Sequence, residues 1–220
     1  MTEHQAREEI CRVGRSLFER GYVHATAGNI SVRLDDGFLI TATDSCLGAL
    51  DPARLARLDA EGRHLSGDRP SKTIVLHQRI YAASAAEQPA TRCVVHTHST
   101  HCVALTLQPG GEELLPPITP YFVMKVGHVP RIAYHRPGAP EVADRVQQAI
   151  ERYAARGTPI RAVMLERLGP NVWHDTPAAA MATLEELEET ARLWLLSAQH
   201  PAPLEAEHLQ ALQAHFKAPW

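Results

Sequence analysis

Nowhere in this chain does an apolar run reach the roughly twenty residues that a membrane-spanning helix needs, and its first residues, Met1-Thr2-Glu3-His4-Gln5, lack the apolar centre of a signal peptide. These absences predict a cytoplasmic protein with no membrane partner. Positive charge is not in surplus either: the formal net charge is -3 and the arginines are scattered rather than striped along one helix, which argues against a nucleic-acid partner. The four cysteines, Cys11, Cys46, Cys93 and Cys102, form no C-x-x-C pair and read as reduced, mostly buried thiols. There is no internal repeat and no low-complexity linker. With 45% hydrophobic and 21% charged residues, disordered and fibrous classes are excluded, and 220 residues are most simply one domain over 1–220, with a helical tail from about Ala178.

Histidine is what the chain has in excess, with thirteen. Three of them end the stretch Cys93-Val94-Val95-His96-Thr97-His98-Ser99-Thr100-His101. Its apolar, β-branched start reads as a buried strand, and alternation along a strand puts His96 and His98 on one side. Two neutral imidazoles on one face suit a borderline divalent ion such as zinc. Two donors hold such an ion poorly, so a third is needed. His101 and His128 are the first candidates because they keep the ligand type, with Glu166 and His174 behind them.

Taken in order, Ala6 to Arg20 has helical periodicity and ends at Gly21. Thr26-Ala27-Gly28-Asn29 turns into a strand, and backbone amides near Gly28 with the Asn29 side chain form a possible anion cradle. Asp35-Asp36-Gly37 makes a hairpin into Phe38-Leu39-Ile40-Thr41, and Asp51-Pro52 opens a short helix or turn reaching Leu58. A helix over Thr73 to Ala83 puts Ser71 near its N-terminus, where free N–H groups and the macrodipole favour a phosphate, and Lys72 adds a cation. Further on, Tyr121 to Val126 and Val129 to Tyr134 read as strands, Glu141 to Arg156 as an amphipathic helix and Ala162 to Leu165 as a buried strand. In the long helix from Ala178 to Leu196, the glutamates Glu185, Glu186, Glu188 and Glu189 read as a solvated or subunit-contacting face. A Pro/Ala-rich tail near Pro201-Ala202-Pro203 is suited to wrapping over a neighbour.

Together Thr26-Ala27-Gly28-Asn29-Ile30-Ser31, Ile40-Thr41-Ala42-Thr43, Pro70-Ser71-Lys72, the spacing to His77 and Tyr81, and Val94-Val95-His96-Thr97-His98-Ser99 resemble the class II aldolase/adducin family, from Arg12 to about Leu196. The resemblance implies a single α/β/α domain of three layers around a mainly antiparallel sheet. It also implies a homotetramer with active sites at subunit contacts and a divalent metal, commonly Zn2+. Within the family, Asp44-Ser45-Cys46-Leu47-Gly48, Ser66 to Lys72, Ile118-Thr119-Pro120-Tyr121, Val123 to Gly127 and Tyr134-His135-Arg136-Pro137-Gly138 are most similar to decarboxylases of 3-oxo-tetronate 4-phosphates. Such enzymes yield dihydroxyacetone phosphate and carbon dioxide in the breakdown of four-carbon sugar acids. Asn29, Ser71 and Lys72, helped by Thr26 and Thr43, would bind the substrate phosphate, and Tyr121 is the candidate proton donor.

Two departures sharpen this expectation. Family aldolases carry a Glu after the Ser-Lys pair, where this chain has Thr73, and a third zinc histidine in an Asn-His-Gly turn, where it has Arg167-Leu168-Gly169. Aldol condensation needs a base to remove a carbon-bound proton, whereas decarboxylation reaches the same enediolate by expelling carbon dioxide. Thr73 is therefore tolerable for a decarboxylase and damaging for an aldolase. The alternatives are a sugar-phosphate aldolase or 4-epimerase of the same fold, and a non-catalytic, adducin-like assembly protein.

Overall fold

The protein is described by a computed structural model over residues 1–197 and 201–220. Helix α1 (Glu3–Glu19) begins in a reciprocal cap in which Thr2 accepts from the Gln5 amide and the Gln5 side chain accepts from the Thr2 amide. A hairpin follows, β1 (Asn29–Leu34) and β2 (Gly37–Ile40), then β3 (Ala56–Asp59) and β4 (His64–Ser66). Next come α2 (Ile74–Ser84), β5 (Cys93–His96), α3 (Thr100–Leu105), α4 (Pro120–Lys125) and β6 (Arg131–Ile132). The chain ends with α5 (Glu141–Ala155), β7 (Ala162–Leu165), β8 (Gly169–His174), α6 (Pro177–Leu196) and α7 (Ala206–Phe216).

The strands form one sheet in the order β4-β3-β2-β1-β5-β8-β7-β6, which sets the histidine strand near the middle. Its residues alternate between two apolar clusters. Cys93 and Val95 join Ile10, Leu17 and Leu184 from α1 and α6, while Val94 joins Ile80, Val146 and Ile150 from α2 and α5. Burial on both faces explains why β5 is an unbroken apolar run up to His96.

Several sequence expectations are corrected. The sheet is mixed, because β6 pairs with β7 in parallel while the other junctions are antiparallel. The stretch after Pro120 is helix α4, not a strand: Pro120 takes the first helical position and the Thr119 hydroxyl accepts from the Phe122 amide at 3.1 Å. The helix or turn at Pro52 stops at Arg54, and Ala56–Asp59 pairs with β2. The strand expected over Val129 to Tyr134 shrinks to Arg131–Ile132. Glu188 is not on a solvated face. It is buried and accepts from the amides of His101 at 2.9 Å and Cys102 at 3.0 Å, so it caps α3 from α6.

Candidate active site

At the end of β5 the backbone brings three strands into one row. Asn29 on β1 and Asn171 on β8 are the partners of His96 on either side. Residues directly opposite across antiparallel strands share a face, so Asn29, His96 and Asn171 present their side chains together. The approach of β1 depends on Gly28, whose φ is +83° and whose missing Cβ would lie 2.8 Å from the His96 carbonyl oxygen. No larger residue fits that crossing without displacing the histidine strand.

His96 is buried and donates its Nδ1–H to the Pro170 carbonyl at 2.9 Å, which leaves Nε2 as a lone-pair donor. Burial, reinforced by neighbouring His98, lowers its pKa to about 4, so the ring is neutral at physiological pH. His98 follows the strand end with its ring centroid 5.1 Å from that of His96. Burial and the nearby His24 lower its pKa as well. Two neutral imidazoles this close fit a divalent cation in donor chemistry and protonation state. Behind them His77 is buried, bonded through Nδ1 to the Ser31 hydroxyl at 2.7 Å, while Tyr81 bonds the same hydroxyl at 2.8 Å.

A cleft of about 570 Å³ opens over this row. It is lined by both histidines and by every residue expected to bind phosphate: Thr26, Asn29, Thr43, Ser71 and Lys72. Ser71 and Lys72 precede α2, so the positive end of an eleven-residue helix adjoins the cleft. Thr43 is held by its hydroxyl donating to the Pro70 carbonyl at 2.8 Å. Thr73 also lines the cleft and bonds the Ser71 hydroxyl at 2.9 Å. Its side chain offers no carboxylate.

The other expected residues lie elsewhere. His101 bonds Glu188 through Nδ1 at 2.8 Å. His128 pairs with Glu113 at 2.8 Å and stacks on Trp220 at 4.2 Å between ring centroids. Glu166 is paired with Arg131 at 2.8 Å, and the His174 ring accepts from the Asp175 amide at 2.8 Å. None of these four third-donor candidates lines the cleft, and each is bonded to another partner. Tyr121 is 60% exposed on α4 and does not line the cleft of its own chain.

Three cleft residues were not singled out as site residues from sequence. Arg136, exposed and without an ion-pair partner among the described residues, contributes a second cation. Leu168 lines the same cleft, and Asn171 lies buried opposite His96 in the strand register. Arg136 stood out only as part of the Tyr134-to-Gly138 motif, and Asn171, just past the turn at Gly169-Pro170, had no reading of its own. Only the pairing of β5 with β8 gives Asn171 its place.

A family model, the Class II Aldolase and Adducin N-terminal domain, matches residues 8–195. The chain is 51% identical to a 3-oxo-tetronate 4-phosphate decarboxylase of Cupriavidus necator, covering 100% of this chain and 99% of the relative. It is 41% identical to a protein of the same name from Escherichia coli, covering 90% of each. Among solved structures it superposes on YgbL, described as a putative aldolase/epimerase/decarboxylase from Escherichia coli. That match has a TM-score of 0.85 and 39% identity, and covers 96% of this chain and 99% of the other.

Proposed function

This chain belongs to the class II aldolase and adducin N-terminal domain family, and from that premise we propose that it is a carboxy-lyase converting a 3-oxo-tetronate 4-phosphate to dihydroxyacetone phosphate and carbon dioxide. The observation that carries the reading is the shared cleft, in which a neutral histidine pair and a cationic helix start face one substrate-sized space. The substrate has an anionic phosphate at one end and a keto acid at the other, and the cleft has a matching device for each.

The phosphate sits at the start of α2. Ser71 and Lys72 hold it, with Asn29, Thr26 and Thr43 completing the cradle. Arg136 gives the substrate carboxylate a cationic partner before the reaction. A divalent cation, taken here to be Zn2+, supplies Lewis acidity at the keto oxygen when bound to His96 and His98. The Pro170 carbonyl fixes the His96 tautomer, so that Nε2 presents its lone pair. The bond to the carboxylate carbon breaks, its electron pair stays with the substrate as an enediolate, and carbon dioxide leaves. One proton must then return to carbon. We assign this proton to Tyr121, whose exposure on its own chain leaves it free to serve the cleft of a neighbouring subunit if the chain forms a homotetramer. No step requires removal of a carbon-bound proton, which agrees with Thr73 and disfavours the aldolase reading.

We take the chain to be a single domain with three α/β/α layers, supported by apolar clusters on both faces of the sheet. A cytoplasmic location agrees with a phosphorylated substrate and with the absence, among the described residues, of any helix long and apolar enough to cross a membrane. The test is carbon dioxide release from a 3-oxo-tetronate 4-phosphate by metal-loaded protein, with His98→Ala abolishing it. Unchanged turnover in that variant would refute the mechanism. Product from dihydroxyacetone phosphate and small aldehydes would favour the aldolase reading instead.

A further inference from the structure

Asn171 lines the cleft, and the chemistry above assigns it no task. Asn171 is 1% exposed, and neither its Oδ1 nor its Nδ2 has a hydrogen-bond partner. Exchanging the two amide atoms repairs nothing, since both ends are unpartnered. A buried amide left unpaired costs stability that an apolar residue of the same shape would not. The position is next to the histidine pair: Asn171 is opposite His96 in the β5–β8 register and shares its face and its cleft.

The histidine pair has the complementary shortage. Two imidazoles leave a divalent cation short of protein donors. Among the described residues, the one group of three His, Cys, Asp or Glu side chains close enough to share an ion is Glu205, Glu207 and His208, all exposed and remote in sequence from β5. No third donor of those types therefore joins His96 and His98. His24 is on an exposed turn with its ring 6.4 Å from that of His98. Asn29, the other neighbour of His96, has only its Oδ1 buried without a partner and faces the phosphate cradle.

We propose that Asn171 is the third protein donor to the cation at His96 and His98, through its side-chain oxygen. The inference rests on the reading above only in needing a divalent cation there. The donor set is then two imidazoles and one neutral amide oxygen, a mixed set that zinc and cobalt both accept. With no anionic ligand, the site holds its cation modestly and leaves positions open for substrate oxygens.

The test uses full-length protein freed of metal with a chelator and titrated with Co2+ alone, followed by calorimetry and by the visible spectrum of bound cobalt. Wild type should bind one ion per chain. Asn171→Leu should weaken binding by roughly tenfold or more and change the cobalt spectrum, while the metal-free variant melts no lower than wild type because an unpaired buried amide is gone. Asn171→Asp should bind more tightly than wild type. His24→Ala and Asn29→Ala should bind Co2+ as wild type does. Unaltered binding by Asn171→Leu, or loss of binding in either control, would overturn the assignment. Should Asn171→Leu fail to fold, Asn171→Asp decides: tighter binding supports the assignment, and equal or weaker binding overturns it. If wild type itself takes up no metal, the metal-dependent reading fails. If wild type binds and Asn171→Leu is unaltered, only this assignment fails.

Discussion

The tautomer and placement of His96 are set by two neighbours that touch it through backbone rather than side chain. The Pro170 carbonyl accepts the hydrogen bond from Nδ1–H, and Gly28 lets β1 approach within contact of the His96 carbonyl. Gly28→Ala combines an unfavourable φ with a contact tighter than real Cβ atoms allow, so it should cost on the order of 1–3 kcal/mol in urea unfolding. A change within a few tenths would mean that the crossing is looser than described. If Lys72 holds the phosphate and Arg136 the carboxylate, as proposed, their substitutions should separate in kinetics. Lys72→Ala should raise KM for the phosphorylated substrate roughly tenfold to a hundredfold, the worth of a charge-assisted phosphate contact, and should leave the use of an unphosphorylated analogue little changed. An equal loss with both substrates would contradict phosphate recognition by Lys72.

At the scale of elements, what could be read from sequence followed how local the signal was. The β-branched run of β5, the hairpin at Asp35-Asp36, and the start of α2 after Ser71-Lys72 carry their structure in adjacent residues, and all three form. Helix α4 was misread because Tyr121, Phe122 and Val123 favour strands, yet Thr119-Pro120 is the same start signal as Thr176-Pro177 before α6. The cap outweighed the propensity. Glu188 was misread for the opposite reason: its partners on α3 are far away in sequence, so helical spacing alone placed it among solvated neighbours. The site divides in the same way. The phosphate residues and the histidine pair lie in short motifs, whereas Asn171 becomes meaningful only through strand register. Glu188→Ala strips the partners from two amides at the start of α3 and should lower stability by roughly 2–4 kcal/mol. Thermal unfolding checks this, and an unchanged midpoint would show that α3 does not depend on the cap.

For the whole molecule, two buried imidazoles link stability to pH. Burial lowers the pKa of His77 to about 3 and of His96 to about 4, against an ordinary value of 6.5 in the unfolded chain. The native state keeps both rings neutral while the unfolded chain takes up protons below 6.5. Their contribution is therefore complete above that pH and is lost as pH falls toward 4 and then 3, at up to about 1.4 kcal/mol per pH unit for each ring. Metal-free protein should show this slope in denaturant midpoints below pH 6.5, and His77→Leu should roughly halve it, leaving the His96 share. A flat wild-type profile would contradict neutral burial of these rings.

Assembly offers a second test at this scale. If Tyr121 acts in a neighbour's cleft, Tyr121→Phe and His98→Ala proteins, each inactive alone, should regain part of the activity when unfolded and reassembled together. No recovery in a verified mixed oligomer would confine each site to one chain. The most direct measurement remains carbon dioxide evolved per mole of 3-oxo-tetronate 4-phosphate by wild-type protein supplied with a divalent metal, set beside His98→Ala. The expected result is stoichiometric carbon dioxide and dihydroxyacetone phosphate from wild type and none from the variant. Equal release by both, or release by neither, would contradict a decarboxylase built on His96 and His98.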